Sequence, residues 1–371
     1  MIKHKSFKFR IYPTKDQKVY FSKVFGCCRF IWNAMLEDKI KAYKETDELL
    51  RNTPAQYKKQ FEFLKEVDGY ALCNEQMNLQ QAYMKFFKSK GKVGFPKYKS
   101  KKRDKDSFTT NNVNNGTMIS LFDNNKYIKF CKVKKLRIKC HRQIPSNYKI
   151  KSVTISRTPT NKYYCSILTE YECEEPKKEI DITKAIGLDY SSPHFYVDNQ
   201  GNEAGYPKIY RLYQDKLARE QRKLSHMKLG SNNYRKQKIK VARIHEKITN
   251  CRVDWIEKLS RELANKFDIV CIEDLNMSGI AQSLKLAKST LDNSWGRFVI
   301  KLEQKCKLVL KCDKFFPSSK TCHCCGYVNK DLTLNDREWE CPNCHTVISR
   351  DKNAANNILT YCLKTIDNYL N

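Results

Sequence analysis

Between Thr321 and Leu359 the chain reads TCHCCGYVNKDLTLNDREWECPNCHTVISRDKNAANNIL, and its cysteines fall as Cys322-x2-Cys325, fifteen further residues, then Cys341-x2-Cys344. Two knuckles at this separation can close a tetrahedral thiolate site of the zinc-ribbon type. His323, Cys324 and His345 lie in the same run. Gly326 after the first pair and Pro342 inside the second suit tight knuckle turns, which leaves Cys324 as the bystander. CPNCH also matches a haem-attachment string, but that reading leaves the other CxxC unexplained. Four thiolates fill the coordination sphere of zinc, so such a metal holds structure and performs no hydrolysis.

At 371 residues with 40% hydrophobic composition, the chain is long enough for two or three domains with real cores. Its 71 basic residues exceed 40 acidic ones by 31, spread over the length, which points to a polyanion as partner and to nucleic acid first. No apolar run of roughly 18 residues exists, and MIKHKSFKFRIYP has no apolar segment followed by a small-residue cleavage site. The expectation is a cytoplasmic protein, nucleoid-associated when bound to DNA, with no membrane partner. In that compartment the 17 cysteines stay mostly reduced and serve as metal ligands or small hydrophobes; Cys27, Cys73 and Cys271 sit in apolar patterns. Without a GxxxxGK[ST] or GxGxxG motif, the chemistry is expected to run without ATP or a dinucleotide.

Along the chain, Phe7, Phe9 and Ile11 alternate with Lys8, Arg10 and Tyr12 as in a half-buried strand that Pro13 ends, and Thr14 is a helix N-cap candidate. Helical spacing then runs to about Ser89, through Val19, Val24, Phe25, Cys28, Ile31, Trp32 and Met35, then Leu72, Met77, Leu79, Tyr83, Phe86 and Phe87. GKVGFPKYKSKKRDKDSF, Gly91 to Phe108, is a basic loop with interleaved aromatics, suited to phosphates and unstacked bases or simply solvated. The runs TMISLF, KYIKFCKV, KLRIKC, KIKSVTISRT and KYYCSILTEY follow, and with the first strand they suggest a small barrel into which the helices are inserted. A composition shift at Glu170 to Asp181 marks a boundary. Beyond it AIGLDYSSPHFYVDNQG reads as a hairpin, and Lys208 to Asn265 as two long basic helices broken at Gly230. IVCIED is a buried strand, Leu291 to Cys306 an amphipathic run, and LVLKCDKFF a further strand.

Three acids stand at element ends: Asp189 after GL, Glu273 after IVCI, and Asp351 in the first turn of a helix with Ser349 as N-cap. Capping alone accounts for Asp351. Together the three are what two-metal phosphodiester hydrolysis needs, with carboxylates holding two Mg²⁺ about 3.5–4 Å apart. Arg350 and Asn353 flank Asp351 and are candidates to contact phosphate or orient the ligands, or simply to lie on the helix surface.

FKFRIYPTKDQ, FGCCRFIWN, GFPKYKSKKRDKDSF, GLDYS, IEDLN, PSSKTCHCCG and ECPNCHTVISRDKNAANNIL together resemble the transposon-encoded TnpB (OrfB) nucleases, relatives of compact type V CRISPR effectors, from about residue 6 to 360 in chain order. The resemblance implies a multidomain α+β chain: an RNase H-like (RuvC-type) nuclease domain with an inserted zinc ribbon, plus a wedge β-barrel interrupted by a helical recognition module. The implied bounds are 1–13 and 91–180 for the barrel, 14–90 for the helical module, 181–316 and 348–371 for the nuclease domain, and 317–347 for the ribbon. Asp189, Glu273 and Asp351 match the family's catalytic, Mg²⁺-binding acids, and Cys322, Cys325, Cys341 and Cys344 its zinc ligands. A guide RNA from the transposon end would direct cleavage of double-stranded DNA beside a short adjacent motif. Ser191 stands where many relatives have Gly, a small residue in either case. Three other readings remain at this stage: a guided DNA-binding repressor without cleavage, an RNase H-like transposase, and a ribbon protein that binds nucleic acid without catalysis.

Overall fold

The computed structural model describes residues 1–47, 50–102, 104–113, 116–174, 179–277, 279–280, 292–333 and 336–366. The chain divides into two compact units, Met1–Glu175 and Pro176–Asn371.

In the first unit the strands are β1 (Ile2–Tyr12), β2 (Asp106–Asn111), β3 (Ser120–Phe122), β4 (Tyr127–Phe130), β5 (Val133–Lys139), β6 (Lys149–Arg157) and β7 (Tyr163–Glu172). They form one sheet in the order β2-β6-β7-β1-β5-β4-β3, every pair antiparallel. Phe7, Phe9 and Ile11 of β1 are buried while Lys8 and Tyr12 are exposed, the two-residue alternation that one solvated face demands. KYIKFCKV, expected as one run, breaks into β4 and β5 at Cys131, whose φ of 39° turns the chain.

Between β1 and β2 lie α1 (Lys15–Thr46), α2 (Pro54–Gln60) and α3 (Gly69–Lys88). Thr14 and Gln17 close a capping box on α1, satisfying two backbone donors of its first turn. Phe21 then sits against Phe108, Phe130 and Tyr163 of the sheet at 5.9, 6.4 and 6.1 Å between ring centroids. The basic loop before β2 is anchored: Trp32 Nε1 donates to the Lys97 carbonyl at 3.0 Å, and Phe95 packs on Tyr83 and Phe86. Contrary to the helical-spacing expectation, Val19, Met77 and Phe87 are 58%, 55% and 56% exposed, and Cys73 is exposed as well. The buried line of α3 is Ala71, Leu72, Glu75, Leu79 and Tyr83. A helix with apolar residues on two faces does not declare from spacing which face the core takes. Cys73, Met77, Met84 and Phe87 line an open groove instead.

The second unit has β8 (Ala185–Ser191), β9 (Phe195–Asp198), α4 (Ile209–Ser225), α5 (Asn232–Lys266), β10 (Ile269–Glu273), α6 (Trp295–Lys305), β11 (Leu308–Cys312), β12 (Glu338–Glu340), β13 (Val347–Ser349) and α7 (Arg350–Lys364). Its main sheet has the order β11-β10-β8-β9, with β8, β10 and β11 parallel and β9 antiparallel to β8. Ile186, Leu188, Val270 and Ile272 meet Ile256, Trp295 and Phe298 of α5 and α6 on one face. Ile269, Cys271 and Leu310 meet Ile358 and Cys362 of α7 on the other. Covering on both sides explains why IVCI is continuously apolar. β12 and β13 form a separate antiparallel hairpin beside the cysteine cluster.

Candidate functional site

In the parallel register of β8 and β10, Ala185 lies opposite Ile269 and Leu188 opposite Ile272. One residue further along stand Asp189, in β8 just past its last residue paired with β10, and Glu273, the last residue of β10, on neighbouring strands that lie about 4.8 Å apart. The carboxyl ends of parallel strands are where open α/β sheets bind their ligands. α7 delivers the third acid. It lies directly on β8 because Gly187 has no side chain to hold it off, and Asp351 precedes Ala355, the residue touching Gly187, by about one helical turn.

Burial holds the Asp189 carboxyl well above the usual carboxylate range; the charges of Glu273 and Asp351 push the same way and Arg350 opposes them. Burial likewise raises Glu273, against a hydrogen bond from Ser318. The charges of Glu273 and Asp351 both reach Asp189, so the three acids are neighbours and a cation among them would relieve their repulsion, although they do not form a metal-ligating group as closely drawn as that of the cysteines. Asp351 meets Arg337 (Nη1 to Oδ2, 3.5 Å) and Arg350 (Nε to Oδ1, 3.8 Å).

Several further residues support this site. The Ser318 hydroxyl donates a short hydrogen bond to Glu273 Oε1. Asn357 Nδ2 holds that turn through the carbonyls of Ser318 (2.8 Å) and Thr321 (2.6 Å). Asn353, 1% exposed, donates to Thr321 O at 2.7 Å and accepts from the His323 backbone N–H at 3.0 Å. Arg350 Nη1 donates to the carbonyls of Thr333 and Asp336. Asn353 and Arg350 therefore fasten the cysteine-rich segment to α7. The signal in the sequence was Asn353 and Asn357 at i and i+4 on one helix face; Gly187 and Ser318 lie in the motifs GLDYS and PSSKTCHCCG with no role declared by them, and Arg337 lies in none.

The Sγ atoms of Cys322, Cys325, Cys341 and Cys344 all lie within 4.8 Å of one another, the one such group of three or more metal-ligating side chains among the described residues. Cys322 to Cys344 and Cys325 to Cys341 are each 3.6 Å apart, close to the edge of about 3.8 Å expected for sulfurs 2.3 Å from one zinc. Gly326 N–H donates back to Cys322 O and His345 N–H to Cys341 O, and both residues are left-handed, at φ 78° and 55°. The two knuckles are thus the same turn. Hydrogen bonds from Thr346 lower the Cys344 thiol to about 6, whereas burial pushes Cys322 up to about 12. His345 is engaged by Glu340, His323 by Asn353, and Cys324 is exposed outside the group.

In the first unit the solvent face of the sheet carries a row in direct register: Tyr12 opposite Arg137, Arg137 opposite Tyr127, Tyr127 opposite Phe122. Arg10 lies over the rings of Tyr164 (5.2 Å) and Tyr12 (5.7 Å), Lys8 over Tyr164 (4.8 Å), and Lys135 over Tyr127 (4.2 Å).

Residues 167–284 match the OrfB_IS605 family, described as "Probable transposase"; residues 1–48 match a "Helix-turn-helix domain" and residues 295–358 a "Cas12f1-like, TNB domain". A Streptomyces pristinaespiralis protein named "Putative RNA-guided DNA endonuclease" is 33% identical over 368 residues, covering 96% of this chain and 88% of that protein. This chain belongs to the TnpB (OrfB) family. Among other relatives of this TnpB chain, the Escherichia coli "Putative RNA-guided DNA endonuclease InsQ" is 27% identical, over 95% of this chain and 91% of that one. The Cas12f1 chain of an sgRNA–target DNA complex shares the fold, with a TM-score of 0.56 at 13% identity over 96% of this chain and 99% of that one. In this TnpB chain the region matched as helix-turn-helix folds as one strand, β1, and one unbroken 32-residue helix, α1. Among the described residues no helix is long and apolar enough to cross a membrane.

Proposed function

We propose that this chain is a transposon-encoded, RNA-guided DNA endonuclease that hydrolyses guide-matched DNA beside a short adjacent motif, with Asp189, Glu273 and Asp351 as its catalytic acids. The observation that supports this reading is that the charges of Glu273 and Asp351 both reach Asp189, where β8 adjoins β10 and α7 packs against Gly187. The strand order β9-β8-β10-β11 supports an RNase H-like (RuvC-type) domain over 181–316 and 348–371, with a zinc ribbon at 317–347. The antiparallel sheet and its inserted helices support a wedge barrel (1–13, 91–180) around a recognition module (14–90).

The donor sets fit the metals proposed. Four clustered sulfurs suit structural zinc, and three partly buried carboxylates, of which Asp189 and Glu273 have raised proton affinity, suit hard cations such as Mg²⁺. When bound, two such cations supply an activated water and neutralise the leaving oxygen. Asp189, whose carboxyl is influenced by both other acids, would contribute to holding both cations, and Glu273 and Asp351 would each help hold one. Ser318 orients Glu273, and Arg337 offers a guanidinium to a phosphate approaching Asp351. The guide RNA is assigned to the basic surfaces, including the aromatic row of the first unit, where bases can stack and phosphates find cations.

The test is to express the protein with its flanking transposon-end transcript, sequence the RNA that copurifies, and challenge plasmid libraries in Mg²⁺. Guide-matched cutting that vanishes in Asp189→Ala supports the reading. Bound RNA without cutting would replace it by a guided repressor, and absence of bound RNA would return the chain to the transposase and ribbon-protein alternatives.

A further inference from the structure

A second cavity of the Pro176–Asn371 unit, about 330 Å³, lies between the Ser192–Pro193 turn, Lys208 and Arg211 at the start of α4, Asn293, and Arg337. Its wall also includes Asp292, 6% exposed, and the charge of that carboxylate is already answered. Arg252 Nη2 donates to it at 2.6 Å, the Tyr206 hydroxyl at 3.1 Å, and the Tyr210 N–H reaches both oxygens at 3.1 Å. Three cationic side chains thus surround a space near the low end of ligand-pocket sizes, about 300–1,000 Å³. The wall is tied to the acid site at two points. Asn293, 3% exposed, donates to Ser192 O at 3.1 Å and to the Tyr190 hydroxyl at 3.2 Å, fixing the turn that follows the strand of Asp189. Arg337 lines both this cavity and the one of about 480 Å³ that contains Asp351.

We infer that this cavity is a phosphate subsite, in which Lys208 and Arg211 hold a backbone phosphodiester of the same DNA strand whose neighbouring phosphate is presented to the three acids. The inference rests on the endonuclease reading and names how the strand is oriented there. A planar guanidinium and an ammonium on one side of a small cavity match the tetrahedral oxygens of a phosphodiester. Gripping a phosphate next to the reacting one fixes the direction of the strand as well as its affinity.

The experiment uses the full-length protein with its guide RNA and target strands carrying single uncharged methylphosphonates at successive positions flanking the cut. In wild type, neutralising one position slows cleavage by about tenfold, the size of one charge-assisted hydrogen bond. The Lys208→Gln, Arg211→Gln double variant loses a similar factor on native DNA and becomes insensitive to that neutralisation. Both side chains are exposed, so an unchanged melting temperature is expected and checks folding. A variant as sensitive to the methylphosphonate as wild type overturns the subsite. A readout independent of cutting is acylation of Lys208 followed by mass spectrometry, with exposed Lys258 of α5 as reference. A short single-stranded DNA slows acylation of Lys208 about threefold or more relative to Lys258. No protection, or equal protection by inorganic phosphate at matched phosphate concentration, overturns the strand assignment. If the protein cuts nothing, the endonuclease reading fails and the acylation result still decides the cavity.

Discussion

A Cβ on Gly187 would stand 2.2 Å from the carbonyl oxygen of Ala355, so strand β8 and helix α7 meet backbone to backbone beside the three acids. Real Cβ atoms do not approach so closely, and with Leu359 also within 2.9 Å the helix itself would have to lift. Gly187→Ala is therefore expected to cost about 1–3 kcal/mol in stability and to move Asp351 away from Asp189. A displacement of roughly 1 Å can cost a factor of about 100 in rate. Cleavage rate and melting temperature, measured with zinc content shown unchanged, check this; wild-type cutting would mean that the Gly187–Ala355 contact does not set the position of Asp351.

Asp189 and Glu273 predict a specific pH dependence. Both carboxyls are raised in the folded state, so the magnesium-free fold keeps protons that the unfolded chain has released. Their contribution to stability is then most favourable below the unfolded carboxylate range, about 4, and declines as pH climbs through the raised folded values. Asp189→Asn should flatten that decline and raise the neutral-pH melting temperature of magnesium-free protein by a few degrees, about 2–4 °C per kcal/mol for a unit of this size. Calorimetry from acid to neutral pH, with zinc retained, makes the comparison. A variant melting below wild type at neutral pH would contradict it.

Loss of a knuckle cysteine should act on folding. Structural zinc contributes roughly 10–16 kcal/mol in ribbon-sized peptides. Cys341→Ser is expected to lose the metal and expose Trp339, which is 7% exposed among the knuckle residues. Cys324→Ser, outside the sulfur cluster, should keep both metal and the Trp339 emission. Metal analysis and tryptophan fluorescence distinguish the two variants, and zinc loss in Cys324→Ser would reassign the ligands.

The aromatic and cationic members of the β1–β5–β4 row should separate on salt. Tyr12→Ala with Tyr127→Ala is expected to weaken binding of the guide RNA by about 1–3 kcal/mol per stacked base while leaving the salt slope unchanged. Arg10→Gln with Arg137→Gln should reduce that slope by about 0.7 for each single-strand phosphate no longer neutralised. Filter binding over a salt series gives both numbers. Identical behaviour of the two pairs would assign the row to packing.

What the sequence displayed and what it concealed differ by range. The knuckles were legible because their four sulfurs come from two short repeats of one turn, and Thr14 with Gln17 because a capping box is complete within four residues. Asp189 and Glu273 were legible as acids ending apolar strands. Gly187 was not, since its role depends on Ala355, brought to it by the whole second unit. Arg337 and Ser318 are polar residues in loop-rich sequence, and only folding pairs them with Asp351 and Glu273. The exposure of Cys73, Met77 and Phe87 was concealed for another reason: α3 is apolar on two faces, and the one turned to the sheet is selected by tertiary packing.

The last acid has a consequence for synthesis on the ribosome. β8 and β10 emerge before the knuckles, yet the site they begin stays incomplete until α7 has been made, after both cysteine knuckles. A nascent chain, or one cut short by a premature stop in the knuckles, carries the basic surfaces of the first unit without the third acid. On the assignment proposed above, such fragments would hold RNA and leave DNA intact.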